Sequence, residues 1–221
     1  MHSHLIPGID DGVPTNEHSL ATIIKLMDLG YEKFVTTPHI MSDTYPNTIE
    51  EIREKLTALR EFLRSKKLNV EVSAAAEYYL DEYTMNAVGA PEEMLTFGNQ
   101  YLLFETNYLS EPYILKDFIF KATSRGYRPV LAHPERYQYM TMAKAQDLVD
   151  RGVLLQLNLL SLSGFYMKTA QKLAEKLIDS KMVSFLGTDC HSELQAEALQ
   201  KSLRTPYFRK AIELPLLNTS L

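Results

Sequence analysis

The sequence has little cysteine, no long apolar run and no excess of basic residues. Its single cysteine, Cys190, excludes an intramolecular disulfide framework and is typical of a protein of the reducing cytoplasm. No apolar stretch approaches the roughly 20 residues that a membrane-spanning helix needs, and the first residues do not resemble a signal peptide. The net charge of −5 argues against a nucleic-acid partner. We therefore expect a cytoplasmic protein that neither inserts into a membrane nor binds nucleic acid.

Length and composition describe an ordinary globular chain. The 221 residues include 45% hydrophobic and 23% charged residues, which is enough apolar material for a sizeable core. No low-complexity run and no linker divides the sequence, so we predict a single domain over residues 1–221.

Short apolar runs alternate with longer amphipathic stretches along the chain. Strands are predicted in the opening segment around His2 and His4, and in KFVTT, NVEVSAAAE, QYLLFET, RPVLAH, VLLQLNL and VSFLGTD. The helical stretches between them carry residues that are typical of helix ends. Gly30 is a typical C-terminal cap, and Asn47 is predicted as an N-cap with Glu50 three residues later.

About seven β-α units in regular alternation predict a parallel sheet covered by helices. Seven units in one domain favour a closed or nearly closed barrel of the TIM type, one unit short of the standard eight. A doubly wound open sheet is the alternative, although no glycine-rich nucleotide fingerprint follows the first strand. The tail from Glu193 is expected to be helical and to pack across the barrel.

Histidines and acids recur where the predicted strands end. In a β/α barrel these ends face one mouth, so residues more than a hundred positions apart converge there. Glu105 is the strongest indication of a functional role, because it ends the apolar run YLLFE, where a carboxylate is costly to bury. The strand-end residues are His2, His4, His39, His133 and His191 among the six histidines, and Asp11, Glu77, Glu105 and Asp189 among the acids.

Each of these residues alone has an ordinary structural explanation. A single histidine or glutamate at a strand end is more often a hydrogen-bonded or solvated residue than a ligand. We expect His18 to be structural and Cys190 to be a small core residue. The whole set needs one common cause, and imidazole with carboxylate suits Zn, Fe or Mn. The sequence therefore predicts a multinuclear metal site.

Six ordered blocks resemble the polymerase-and-histidinol-phosphatase (PHP) superfamily: HSHLIPGIDDG, TTPHI, AAAEYY, LLFET, LAHPERY and LGTDCH. The first and fifth blocks are similar, more narrowly, to its bacterial tyrosine-protein phosphatase branch, the enzymes of capsule and exopolysaccharide biosynthesis. The resemblance covers residues 2–192. It implies one PHP-type catalytic domain, built as a distorted seven-stranded (β/α)7 barrel with three divalent metal ions. Mn is the expected metal, with Fe or Zn as alternatives.

The resemblance also implies which residues bind the ions. It assigns the first ion to His2, His4, Glu77 and Asp189. Glu77 would bridge to a second ion, which Glu105 and His133 also hold, and Asp11, His39 and His191 would hold the third. Arg136 in HPERY matches an arginine that the branch uses on phosphate, and we expect Arg136, Asp189 and His191 to be the catalytic residues.

Two positions depart from the family pattern. The motif usually begins with an aspartate two residues before the first histidine, whereas here only Met1 precedes His2. Either the true N-terminus extends upstream, or the histidines lack a supporting acid, a loss commonly worth about 10–100-fold in affinity or activity. Many relatives also carry an arginine shortly after the last Asp-x-His, whereas the first arginine here is Arg204.

These features predict a metal-dependent phosphomonoesterase. The cysteine-phosphatase signature HC-x(5)-R is absent, because Cys190 is followed by His191 and Ser192. The resemblance implies phosphotyrosine in protein as the substrate and the tail of a polysaccharide-export tyrosine kinase as the partner. Histidinol-phosphate phosphatase and a metal-binding scaffold with lapsed activity are the alternatives. Thirteen tyrosines leave open whether some form a substrate surface or a homo-oligomer interface.

Overall fold

The computed structural model describes residues 1–221, which form eight strands and eight α-helices. The strands are β1 (Lys33–Thr36), β2 (His39–Ile40), β3 (Glu71–Ala74), β4 (Glu77–Tyr79), β5 (Tyr101–Glu105), β6 (Arg128–Ala132), β7 (Leu154–Asn158) and β8 (Val183–Gly187). The α-helices are α1 (Asn16–Asp28), α2 (Ile49–Ser65), α3 (Glu82–Ala87), α4 (Leu115–Ser124), α5 (Met142–Asp150), α6 (Lys168–Asp179), α7 (Glu193–Leu203) and α8 (Pro206–Ile212). Three 3-10 helices cover Pro134–Arg136, Leu159–Ser163 and Leu217–Ser220.

All strand pairs are parallel, which confirms the predicted α/β class. The strands form a two-stranded sheet, β1-β3, and a six-stranded sheet ordered β2-β4-β5-β6-β7-β8. The predicted closed seven-stranded barrel is not confirmed, because these sheets do not close on themselves. The predicted strand NVEVSAAAE is divided at Ala75–Ala76 into β3 and β4, whereas KFVTT forms β1 and the separate short strand β2 follows Pro38. Pro38 has no N–H to donate to a strand ladder, although Glu77 N still donates to Pro38 O at 3.0 Å.

The opening segment is not the strand that the sequence predicted. Its pairing is one isolated bridge between Ser3 and Cys190. Backbone bonds nevertheless hold it on both sides, since His4 N donates to Cys190 O at 2.9 Å and Thr37 N donates to Ser3 O at 2.7 Å. Thr188 Oγ1 also donates to His2 O at 2.9 Å. The segment therefore lies between the ends of β1 and β8, where it adds its histidines to the other strand ends.

The N-cap of α2 is Thr48 rather than Asn47. Thr48 and Glu51 form a capping box in which each side chain accepts from the other's backbone N–H. Asn47 is engaged elsewhere, because its Nδ2 donates to Ile9 O at 2.9 Å and to His39 O at 2.8 Å. The residue predicted as a cap instead joins the opening segment to β2.

The tail is mostly helical, as predicted. Helices α7 and α8 are followed by the 3-10 helix Leu217–Ser220, whose Asn218 side chain bonds both the N–H and the carbonyl of Leu186. This contact covers the free edge of β8, a position where an exposed strand would otherwise offer unpaired backbone groups. None of the helices is both long and apolar enough to cross a membrane.

Two hydrophobic clusters lie on the two faces of the curved sheet. The larger contains 44 buried residues and packs the sheet against the helices. The smaller fills the inner face with Leu103, Val130, Phe185 and four others. Residues two apart on a strand share a face, so Glu105 follows Leu103 on the inner side. The metal-ligand candidates therefore lie at the carboxyl ends of the strands, next to the apolar cluster that fills the inner face of the sheet.

Candidate metal centre

The nine predicted ligands converge at the carboxyl ends of the strands. Seven of them line a cavity of about 290 Å³: Asp11, His39, Glu77, Glu105, His133, Asp189 and His191. His2 and His4 have no exposed surface and lie within 4.8 Å of cavity residues through their ring nitrogens. Residues separated by almost the whole chain thus form one cluster.

The first compact group joins His2, His4, Glu77 and Asp189, the set that the family pattern assigns to one ion. Their donor atoms all lie within 4.8 Å of one another. His2 Nε2 is 3.1 Å from Glu77 Oε2 and 3.1 Å from Asp189 Oδ1. His4 Nε2 is 3.4 Å from the same two oxygens. Two nitrogens and two carboxylate oxygens therefore face a common point.

Two further compact groups share residues with the first. One joins Asp11, His39 and His191, as the family pattern implies, and adds His4. The other joins His39, Glu77 and Glu105. His133 borders this last group, with Nε2 at 3.1 Å from Glu77 Oε1 and 3.8 Å from Glu105 Oε2. Glu77 is common to two groups, as a bridging carboxylate must be.

The hydrogen bonds of the imidazoles fit metal binding. His2 Nδ1 is 2.6 Å from Gln156 Oε1, and His4 Nδ1 is 2.7 Å from Asp10 Oδ2. Both partners accept, so Nδ1 keeps its proton and Nε2 is the nitrogen that a metal ion would bind. His4 Nε2 and His39 Nδ1 are buried without a hydrogen-bond partner. A divalent cation at these nitrogens would satisfy them, and this donor set fits it.

The buried carboxylates of the cluster also favour positive charge on the groups beside them. Burial alone would lower the pKa of His2, but the carboxylates of Glu77 and Asp189 outweigh it and raise the pKa to about 10. Burial likewise opposes ionisation of Asp189, and the neighbouring His2 nevertheless holds the pKa of this carboxyl well below its usual range. Protons on the imidazoles therefore take the place that metal cations would fill.

Asp10 and Gln156 were not identified by sequence reasoning. They orient His4 and His2, so the expected loosening of these histidines is not found. The available signal was the IDDG turn, in which Gly12 N donates to Asp10 Oδ1 at 2.9 Å. Only glycine fits at position 12, because a Cβ there would lie 2.4 Å from His4 O. The turn therefore places the carboxylate of Asp10 against the ring of His4.

Arg136 lies at the edge of the cluster, where it was predicted to contact phosphate. Its Nη1 donates to Asp189 Oδ2 at 2.5 Å. The guanidinium lies between two aromatic rings, 4.2 Å from the centroid of Tyr166 and 5.0 Å from that of Tyr108. These rings fix a planar cation in a cavity that also holds the ligand candidates. Arg204, by contrast, is the C-cap residue of α7 and does not line the cavity.

Three residues of the centre have left-handed backbone conformations that non-glycine residues rarely adopt. The φ angles are 63° at His2, 34° at His133 and 49° at Asp189. Each conformation costs on the order of 1–3 kcal/mol and persists where the surrounding structure enforces it, most often at functional sites. Three of the six non-glycine residues with positive φ therefore belong to the cluster itself, and the other three, Lys67, Gln100 and Lys181, lie outside it.

Comparison with protein families identifies the family to which this chain belongs. The family described as capsular polysaccharide synthesis, CpsB/CapC, matches residues 1–213. The chain belongs to the CpsB/CapC family. The resemblance to the PHP superfamily and its capsule branch is thereby confirmed.

Individual relatives extend over most of the chain. CapC from Staphylococcus aureus is 26% identical over 92% of this chain and 80% of its own length. The tyrosine-protein phosphatase CpsB from Streptococcus pneumoniae is 25% identical over 97% of this chain and 88% of its own length. A crystal structure from work on YwqE of Bacillus subtilis and CpsB of S. pneumoniae, described as metal-dependent tyrosine phosphatases, superposes with a TM-score of 0.81. It covers 96% of this chain and 90% of the other at 22% identity, which establishes a common fold.

Proposed function

We propose that this member of the CpsB/CapC family is a metal-dependent protein-tyrosine phosphatase. The observation that carries the proposal is the position of Arg136, which is held between two tyrosine rings beside a cluster of buried histidines and carboxylates. A guanidinium makes bidentate contacts with phosphate. The family relatives named as tyrosine-protein phosphatases support phosphotyrosine as the substrate.

The ligands in this proposal are the nine strand-end residues, which would hold three divalent ions with Mn as the expected metal. The first would lie among His2, His4, Glu77 and Asp189. Glu77, Glu105 and His133 would hold the second, and Asp11, His39 and His191 the third. When bound, such ions lower the pKa of a coordinated water and offset the charge that develops on a phosphoryl group.

The chain's own side chains orient the substrate in this scheme. Arg136 exchanges its contact with Asp189 for the phosphoryl oxygens, and Asp189 and His191 flank the reacting group. Tyr45 stacks on His39 with centroids 5.7 Å apart, and Tyr108 stacks on His133 at 5.8 Å. These rings give the mouth aromatic walls that suit a phenyl group. A phenolate leaving group has a parent pKa of about 10, so its departure demands little protonation.

The biological role in this proposal is the control of capsule or exopolysaccharide synthesis in the cytoplasm. The substrate would be a phosphotyrosine-bearing protein, and the tail of a polysaccharide-export tyrosine kinase is the partner that the family resemblance suggests. Residues 1–221 would act as one catalytic domain. A homo-oligomer is compatible with this role and is tested by measuring the mass of the protein in solution.

The decisive experiment compares hydrolysis of a phosphotyrosyl peptide with Mn added and after removal of metal by a chelator. We expect turnover with Mn and none after chelation, with recovery when Mn is restored. Activity that survives chelation would overturn the mechanism. A higher kcat/KM for histidinol phosphate than for the peptide would overturn the substrate. A His133→Ala variant with undiminished turnover would show that this centre is not the catalytic one.

A further inference from the structure

A second, larger depression adjoins the candidate metal centre and shares Arg136 with it. It has a volume of about 680 Å³, compared with about 290 Å³ for the metal cavity. Its walls come from the loop after β6, from the start of α5 and from one side of α6. The side chains that matter here are Met140, Met142, Met167, Lys172 and Lys176. We call this depression the α5–α6 groove.

The charge of the α5–α6 groove is positive on an otherwise acidic chain. Lys172 and Lys176 are exposed and form no ion pair with any carboxylate. The one acid in the wall, Glu135, is buried, and its Oε1 accepts from Ser161 Oγ at 2.7 Å and from Asn158 N at 3.0 Å. The net charge of the chain is −5, so a positive groove beside the reactive centre is a local feature.

The floor of the groove is apolar and adaptable. Met140 is buried, whereas Met167 is 45% exposed. Methionine side chains are flexible and polarisable, and they occur at surfaces that accept varied peptide sequences. Met167 is also the N-cap residue of α6 and makes no side-chain capping hydrogen bond, which leaves the positive end of the helix dipole at the same rim.

The spacing of the two lysines suits an extended polypeptide. Four residues along a helix rise by about 6 Å, so Lys172 and Lys176 lie one above the other on one face of α6. Alternate side chains of an extended chain point the same way and are about 7 Å apart. Acidic residues at alternate positions therefore match the lysine pair.

We propose that the α5–α6 groove binds an acidic segment of the substrate polypeptide while the adjoining phosphotyrosine occupies the metal cavity. Charge complementarity and the shared Arg136 carry this inference, which rests on the proposed phosphatase function. Contacts with the groove would raise kcat/KM for phosphotyrosines flanked by Asp or Glu. Apart from the shared Arg136, the groove is thus a specificity-determining surface that takes no part in the reaction.

The test measures the ratio of kcat/KM for two phosphotyrosyl peptides within each protein variant. One peptide carries Glu at alternate positions beside the phosphotyrosine, and the other carries Ser there; each is made with the segment on the N-terminal and on the C-terminal side. Wild-type protein is expected to prefer the acidic peptide by about tenfold on one side, as two partly screened charge pairs would give. The preference should decline at high salt.

Two groove variants are compared with one control. Lys172→Glu/Lys176→Glu is expected to abolish or reverse the preference, and Lys172→Gln/Lys176→Gln to reduce it. The control Lys66→Glu/Lys67→Glu makes the same change of net charge at the end of α2, near the amino ends of the strands, and should keep the wild-type ratio. Because each ratio is taken within one preparation, partial loss of folding cancels.

The outcomes separate this inference from the function on which it rests. If wild-type protein with Mn hydrolyses neither peptide, the proposed phosphatase function fails. If it hydrolyses both with equal kcat/KM, or if the Lys172→Glu/Lys176→Glu variant keeps the preference, the groove is not a docking surface and the phosphatase function stands. Loss of the preference in the Lys66→Glu/Lys67→Glu control would also overturn the inference, because only overall charge would then matter.

Discussion

Asp10 Oδ2 lies 2.7 Å from His4 Nδ1, and this contact determines which nitrogen of His4 faces the candidate metal centre. The same aspartate accepts from Gly12 N at 2.9 Å and from His39 N at 3.0 Å. One carboxylate therefore orients one ligand directly and fixes the backbone of a second. It supplies the support that the family pattern assigns to an acid before the first histidine.

Asp10→Ala should weaken metal binding. Without the acceptor at Nδ1, His4 is free to change tautomer and ring orientation, and such a loss commonly costs about 10–100-fold in metal affinity or activity. Calorimetric titration of metal-stripped protein with Mn measures the change. Asp43→Ala, in the exposed loop after β2, is the matched control and should keep wild-type affinity. Equal Mn affinity in Asp10→Ala and wild-type protein would contradict the supporting role.

Arg136→Lys should reduce catalysis more than metal binding. Lysine keeps the positive charge but lacks the planar fork that contacts phosphate bidentately, and it cannot stack in the same way between Tyr108 and Tyr166. We expect kcat/KM for a phosphotyrosyl peptide to fall by at least about tenfold, the loss of roughly one charged hydrogen bond.

The control for this variant is Arg151→Lys, which alters an exposed i,i+4 pair with Asp147 on α5. Its kcat/KM should match that of the wild type. The affinity for Mn, measured by titration, should change little in either variant. If Arg136→Lys loses Mn affinity as much as kcat/KM, the arginine acts through Asp189 and not on phosphate.

The fold was predictable where the pattern of apolar residues is continuous. The runs YLLFE and VSFLG became β5 and β8 because both faces of these strands are buried. The short strand β2, which follows KFVTT after Pro38, was harder to foresee, since it depends on where Pro38 interrupts the pairing with the next strand. The opening segment lacks strand geometry because side chains, among them Thr188, supply part of its hydrogen bonding.

The ligands of the candidate site could be predicted from the sequence, whereas the residues that orient these ligands were harder to predict. Strand ends collect at one edge of a parallel sheet, so His39, Glu105 and His133 could be brought together from sequence alone. Gln156 could not, because nothing in VLLQLNL shows that its amide reaches His2 across the sheet. The left-handed conformation of Asp189 was also hidden, since local sequence preference disfavours it and tertiary contacts impose it.

Cys190 should be chemically inert in the folded protein. Its side chain is buried, its Sγ donates to Ser192 O at 3.3 Å, and burial raises the pKa of the thiol to about 12. The thiolate needed for alkylation is therefore scarce at pH 8. We expect no reaction with a disulfide-exchange reagent in native protein and one reactive thiol after unfolding. Loss of phosphatase activity on treatment of native protein with iodoacetamide would contradict this expectation.

The stability gained from Mn should increase with pH. The pKa of His2 is raised from about 6.5 in an unfolded chain to about 10 in the metal-free fold by Glu77 and Asp189, which outweigh the opposite effect of burial. A raised pKa stabilises the fold fully below pH 6.5, and this contribution disappears as pH rises through 10. A bound metal ion replaces this proton, and the stabilisation that the metal provides is not lost as the pH rises in this range. The Tm of stripped protein should therefore fall between pH 6.5 and 9, while that of Mn-loaded protein falls less. Parallel Tm curves for the two forms would mean that protons and metal do not compete at this centre.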